Sequence, residues 1–274
     1  MPDPAVESWV RSHVEVAARE IVEFFAAEQL SLEGARIADL GCGDGLIDLG
    51  LALQARPAEL VGFDVDPPPR LEDLGLLVEE YGLGPGLPAG LSFRQSSHHT
   101  VPAEDASFEF AFSWSTFQFL LDVPAVCAEL ARILVPDGTL MVQVYPFYFS
   151  QHGDNSVGEP FTHLIEGEPA GPEGVVHNRI TLDSLQHELI DAGFRIGRVS
   201  LLHDLFHLPA ELARWPLSAL AITGVKLLAT KESKPISSRP ERSNREADAT
   251  FGLSGDRTLA RPGVAGEPYP RQAL

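Results

Sequence analysis

Cysteine and methionine each occur only twice in this chain of 274 residues, basic side chains are about half as common as acids, and no apolar run approaches eighteen residues. Each shortage excludes something. Cys42 and Cys127 stand far apart, which leaves no disulfide framework and none of the close paired spacings of a structural zinc site. Against 39 acids there are 20 lysines and arginines, a formal net charge of −19, so the basic face that nucleic acid or an anionic membrane requires is missing. Without a long apolar stretch no transmembrane helix is expected. The N-terminal segment PDPAVESWVRSHVEV is amphipathic and charged, unlike a secretory leader. The expectation is a cytoplasmic protein whose partner is a small-molecule acceptor, with no nucleic acid, no membrane and no metal. The oligomeric state is left open.

What is present centres on IADLGCGDG, Ile37 to Gly45. A short apolar run ends in a loop with glycine at alternate positions, and a helical pattern follows through Leu46, Ile47, Leu49 and Leu53, which reads as strand, tight loop, helix. Glycines 41, 43 and 45 let the backbone turn sharply and lie against a ligand, while free amides at the helix start face the same crevice. A second apolar run, Leu60 to Phe63, ends in Asp64, about the offset at which a second parallel strand offers an acid to ribose hydroxyls. A dinucleotide fits poorly, because the position where its pattern wants a third glycine holds Leu46. Asp39, two residues before the first glycine, suits an ammonium rather than a pyrophosphate. The ligand should therefore carry both charge signs, as S-adenosylmethionine does.

At this point the chain resembles the class I S-adenosylmethionine-dependent methyltransferases. The likeness rests on four stretches in the family's order: DLGCGDG at Asp39 to Gly45, GFD at Gly62 to Asp64, SFEFAFSWSTFQF at Ser107 to Phe119 and RILVPDGTLMV at Arg132 to Val142. It covers roughly Ala35 to Lys231. The resemblance implies an α/β, three-layer Rossmann-like fold with a seven-stranded, mostly parallel sheet of order 3-2-1-4-5-7-6 and an antiparallel last strand. It also implies S-adenosylmethionine as cofactor, with Gly41 and Gly43 approaching the methionine moiety, Asp39 near its amino group and Asp64 on the ribose. Cys42, Val65, Ser97 and Ser113 complete the expected cofactor-binding set, Cys42 as a small residue that fits rather than a reactive thiol. There are two departures. Ser96 and Ser97 stand where the family usually has an acid near adenine, and Glu109 stands where its fourth strand usually begins with aspartate.

Along the chain, Pro4 to about Gln29 has apolar positions at helical spacing, a helix broken at most once, forming with the residues up to 34 an N-terminal cap. The domain proper spans 35–231. Prolines 67 to 69 forbid helix until about Arg70, and a helix Leu71 to Tyr81 then precedes a third strand at Leu91 to Gln95. A fourth strand, Phe108 to Phe112, a helix Pro124 to Leu134, a turn at Pro136-Asp137-Gly138 and a fifth strand Thr139 to Tyr145 follow. Residues 146–180 have no clear period but hold Phe147, Tyr148, Phe149 and Phe161 with three histidines, which reads as a lid over an acceptor. Thr181 should cap a helix ended by Gly193, and the pattern then gives a strand Phe194 to Leu202, a helix Leu208 to Leu220 and a strand Ala221 to Thr230. From Glu232 the chain is poor in large apolar residues and has six acids against seven bases, so residues 232–274 read as a disordered, near-neutral tail.

The activity expected is methyl transfer to an oxygen or nitrogen of a small acceptor, in which positioning does most of the work. A general base is needed only for an acceptor that holds its proton, and histidine is the side chain that exchanges protons near neutral pH. His152 and His163 are the catalytic candidates, ahead of His177, since they lie among the lid aromatics. The contrasting reading is a regulatory protein that binds S-adenosylmethionine without catalysis. A nucleotide-dependent oxidoreductase is disfavoured by Leu46 and Asp39.

Overall fold

The computed structural model describes residues 3–151, 153, 160–165, 178–203, 210–213, 215 and 217–233. Within them one seven-stranded sheet runs in the order β3-β2-β1-β4-β5-β7-β6, as the resemblance implies. β1 (Arg36–Leu40), β2 (Glu59–Asp64), β3 (Leu91–Gln95), β4 (Phe108–Trp114) and β5 (Leu134–Val144) are parallel, and β7 (Ile222–Lys231) inserts antiparallel between β5 and β6 (Phe194–His203). The central strands are buried on both faces, which is why they read as continuous apolar runs; β6, at the edge, alternates instead.

Two apolar layers clasp the sheet. On one face α5 (Val123–Ile133) and α7 (Leu182–Asp191) bury Val126, Leu130, Leu185 and Leu189 against β4, β5 and β7. On the other lie α3 (Leu46–Ala55), α4 (Leu71–Tyr81) and the N-terminal helices α1 (Pro4–Arg11) and α2 (Ala18–Ala26). Asp3 caps α1 by accepting from the Ala5 amide, with Pro4 at the first helical position. The helix is not interrupted; where the sequence allows one break, it widens into a π turn, Ser12–Ala17. Its cause lies in α3, where Gly50 has no Cβ to fend off the Val14 carbonyl and Gln54 Nε2 donates to that carbonyl at 2.7 Å. At α7 the anticipated cap is present as a reciprocal box between Thr181 and Ser184.

Two readings need correction. Pro136-Asp137-Gly138 does not precede the fifth strand: β5 already begins at Leu134, paired with Phe108, and the register shifts before Thr139 pairs with Phe110. Asp137 takes φ +63, so a local irregularity in a continuing strand has the composition of a turn. The expected helix Leu208 to Leu220 is, among the described residues, a 3₁₀ turn Ala210–Leu212 and a short helix α8, Leu217–Ala221. Proline at position 216 removes an amide that a through-running helix would need. Glu109 accepts from the Arg36 amide and guanidinium at 2.7 Å each, tying β1 to β4 at the sheet's far end from their carboxyl termini. The tail reading falls outside the described residues from position 234 on.

Candidate cofactor site

The carboxyl ends of β1, β2 and β4 converge on the glycine loop. After β1 the backbone keeps bonding to β2, with the amides of Gly41 and Cys42 donating to the Phe63 carbonyl at 2.7 and 3.2 Å. Gly43 then turns its amide onto Asp64 Oδ2 at 2.9 Å, while the Asp66 amide takes Oδ1 at 3.0 Å. One carboxylate thus braces two loops. Gly41, Gly43 and Gly45 all have positive φ. A Cβ on Gly41 would overlap the Thr116 side chain and one on Gly45 would press on the Phe93 ring, whereas Gly43 faces open space, as a backbone meant to lie against a ligand must.

Beneath the loop the site is acidic and dry. Asp39 is 2 % exposed and Asp48, on the first turn of α3, is fully buried. Asp39 Oδ1 and both oxygens of Asp48 are buried with no hydrogen-bond donor; the two carboxyls act on one another, so a proton held by one is what can join them. Loss of hydration, then the neighbouring Asp48 charge, raises Asp39 well above the carboxylate range. Burial also pushes Asp48 up, to about 8. Cys42 is buried, and its thiol is raised by desolvation and by these acids, so it is a packing residue and not a thiolate.

The other expected residues fall in different places. Val65 is exposed at the end of β2, and its carbonyl accepts from Gln95. Ser97 bonds within its own turn, to Thr100 and the His99 amide. Ser113 is buried and donates to the Leu40 carbonyl at 2.8 Å, joining the ends of β1 and β4. Trp114 lies under the Lys226 ammonium, which also pairs with Glu20. His152 and His177 are outside the described residues. His163, on the short helix α6 (Thr162–Ile165), is buried, its Nε2 bonded to the Tyr148 carbonyl at 2.7 Å and its ring edge-on to Tyr148. Sequence reasoning passed over Thr116, Gln118 and Asp48. The N-terminal helix is also more than packing, since Trp9 donates its indole N–H to Asp44 Oδ2 in the loop at 3.2 Å.

A Rossmann-like sheet of this order, with an acid at the first strand end, a glycine loop and an acid at the second, defines the class I S-adenosylmethionine-dependent methyltransferase architecture. Residues 38–142 match the family described as Methyltransferase domain. The chain is 28% identical over 170 residues to the malonyl-[acyl-carrier protein] O-methyltransferase of Geobacter sulfurreducens, covering 60% of this chain and 57% of that protein. It is 33% identical over 122 residues to the demethylmenaquinone methyltransferase of Thermus thermophilus, covering 44% and 52%. The chain thus spans little more than half the length of these curated relatives. A crystal structure of an S-adenosylmethionine-dependent methyltransferase from Mesorhizobium loti superposes with a TM-score of 0.53 over 80% of this chain and all of that one, at 18% identity, a likeness of fold alone. S-adenosylmethionine is the cofactor of this domain, and the residues present fit it: an orphaned buried carboxylate oxygen for an ammonium, a loop glycine facing open space, and an acid at the rim. No described helix is long and apolar enough to cross a membrane.

Proposed function

We propose that this chain transfers a methyl group from S-adenosylmethionine to an oxygen or nitrogen of a small-molecule acceptor. When bound, the cofactor supplies a methyl group on a positively charged sulfur, an already activated leaving group. The chain's own residues then hold and orient. Asp39 takes the ammonium, the Gly41–Gly43 backbone lies along the methionine moiety, and Asp64 accepts from the ribose hydroxyls.

The observation that carries the acceptor side is the fold of the segment leaving β5. Phe147, Tyr148 and Phe161 are buried, Phe149 lies against Trp215, and His163 holds the Tyr148 backbone. These residues come from an otherwise aperiodic connection that leaves β5 at the sheet edge that also carries the cofactor loop, and we read their packed aromatics as the support of an apolar wall for the acceptor. Such a wall excludes water from a displacement reaction and aligns a flat or aliphatic acceptor. The net charge of −19 favours a neutral or cationic acceptor over an acidic carrier. His163 serves this wall as a positioning residue, and His152, outside the described residues, stays the candidate base on its place in the sequence alone.

The test is incubation with methyl-labelled S-adenosylmethionine and a panel of hydroxylated and aminated metabolites, free and carrier-linked, read by label transfer. Tight binding of S-adenosylhomocysteine with no transfer to any acceptor would favour a regulatory cofactor-binding protein instead.

A further inference from the structure

The buried partner of Asp39 has no role in the function above. Asp48 sits at the third position of α3, on the stripe that also carries Leu51, Ala52 and Ala55, and all four are buried. A carboxyl in such a stripe is costly unless something meets it. Nothing does except Asp39, whose own Oδ1 is orphaned. The other ionisable groups that bear on the pair are Asp44, Asp64 and the Cys42 thiol; none is cationic. The helices stacked on α3 turn Val14, Ala18 and Ile21 inward; of their charges, Glu15 pairs with Arg11 and Glu20 with Lys226, the His13 ring meets the Trp9 carbonyl, and Arg19 is exposed.

We infer that Asp48 is a positioning residue that shares a proton with Asp39, and that capture of the cofactor's ammonium group at Asp39 expels a proton from this pair to solvent. Two facing carboxyls sealed from water cannot both ionise without a cation, so before binding the pair keeps a proton. An arriving ammonium supplies the missing positive charge and stabilises the ionised form. Charge balances: the cation enters, a proton leaves. Binding should therefore tighten as pH rises through neutrality, by at most tenfold per pH unit for one proton. In Asp48→Asn the like charge is gone and the new amide can donate to the Asp39 carboxylate, which favours its ionised form and reduces the proton held before binding.

The experiment is calorimetric titration of the full chain with S-adenosylhomocysteine from pH 6.5 to 8.5, in pairs of buffers with different ionisation enthalpies. The wild type should release about half a proton or more at pH 7 and bind at least about fivefold tighter at the upper end of the range. Asp48→Asn should release clearly less and show a shallower pH dependence, with tighter binding than wild type at pH 6.5. The ligand's own amino group titrates identically against both proteins, so the difference isolates the pair. Equal pH slopes in the two proteins would overturn the inference, and so would absence of proton release by the wild type alone, even if the variant does not fold. No binding by the wild type at any pH would overturn the cofactor-site assignment itself, a separate failure.

Discussion

Asp64, at the end of β2, accepts the Gly43 amide on one carboxylate oxygen and the Asp66 amide on the other, at 2.9 and 3.0 Å. The acid assigned to the ribose is therefore oriented before any ligand arrives, and the glycine loop is held by it. Asp64→Ala should cost both effects, weakening S-adenosylhomocysteine by roughly 1 to 3 kcal/mol, the usual loss for charge-assisted hydrogen bonds. Calorimetry decides the matter, and an unchanged dissociation constant would remove Asp64 from the site.

The loop glycines should separate by mechanism. Gly41→Ala combines a positive φ with overlap of Thr116, so the folded state should lose roughly 2 to 4 kcal/mol in denaturant unfolding. Gly43→Ala has the positive φ but open space around the new methyl, so about 1 kcal/mol is expected, with the larger effect on cofactor affinity. If Gly43→Ala proved the more destabilising of the two, the packing described at Thr116 would be wrong.

The frame of the candidate site was legible where it is local. Asp39, the glycine loop and Asp64 stand at strand ends that short-range pattern defines, and sheet order followed from the resemblance. What escaped is non-local. Asp48 looks like a solvated residue until the stripe through Leu51, Ala52 and Ala55 is drawn, and the signal that would have found it is an acid on the apolar face of a helix. The start of β5 was hidden because pairing with Phe108 overrides the turn composition of Pro136-Asp137-Gly138. The π turn at Ser12–Ala17 depends on Gly50 and Gln54, far along the chain, and no window of local sequence contains both.

The buried acid pair also predicts how the ligand-free protein responds to pH. Asp48 is raised from a model-compound range near 3.8 to about 8, so folding retains a proton that the unfolded chain releases. Its contribution is fully present below about 3.8 and is lost as pH rises through about 8. Other groups titrate too, so the quantity to measure is the difference between wild type and Asp48→Asn. That difference should move against the wild type by up to about 1.4 kcal/mol per pH unit between pH 5 and 8. A difference that stays constant over the range would mean that the two carboxyls do not hold a proton.

His163 is the remaining point at which structure bears on mechanism. Its Nε2 must carry the hydrogen in order to donate to the Tyr148 carbonyl, so that nitrogen is engaged in holding backbone. Gly153 closes the same turn, because a Cβ there would overlap that carbonyl, and the Gly153 amide donates to Ser150 at 3.1 Å. The ring is packed against Tyr148, and the guanidinium of Arg179 lies over the Tyr148 ring at 5.2 Å. A residue so placed should act through the wall it supports. His163→Ala should lower stability by roughly 1 to 3 kcal/mol while S-adenosylhomocysteine affinity stays near wild type. His163→Gln, which keeps an amide donor, should recover part of the stability. Once an acceptor is in hand, a positioning role predicts that His163→Gln also recovers part of the turnover and that the pH profile keeps its shape, whereas loss of a general base would flatten the profile and glutamine would restore nothing. The same pair of measurements on His152 then assigns the base, because a proton acceptor in direct contact with the acceptor should lose about a hundredfold in turnover with affinity and stability nearly intact.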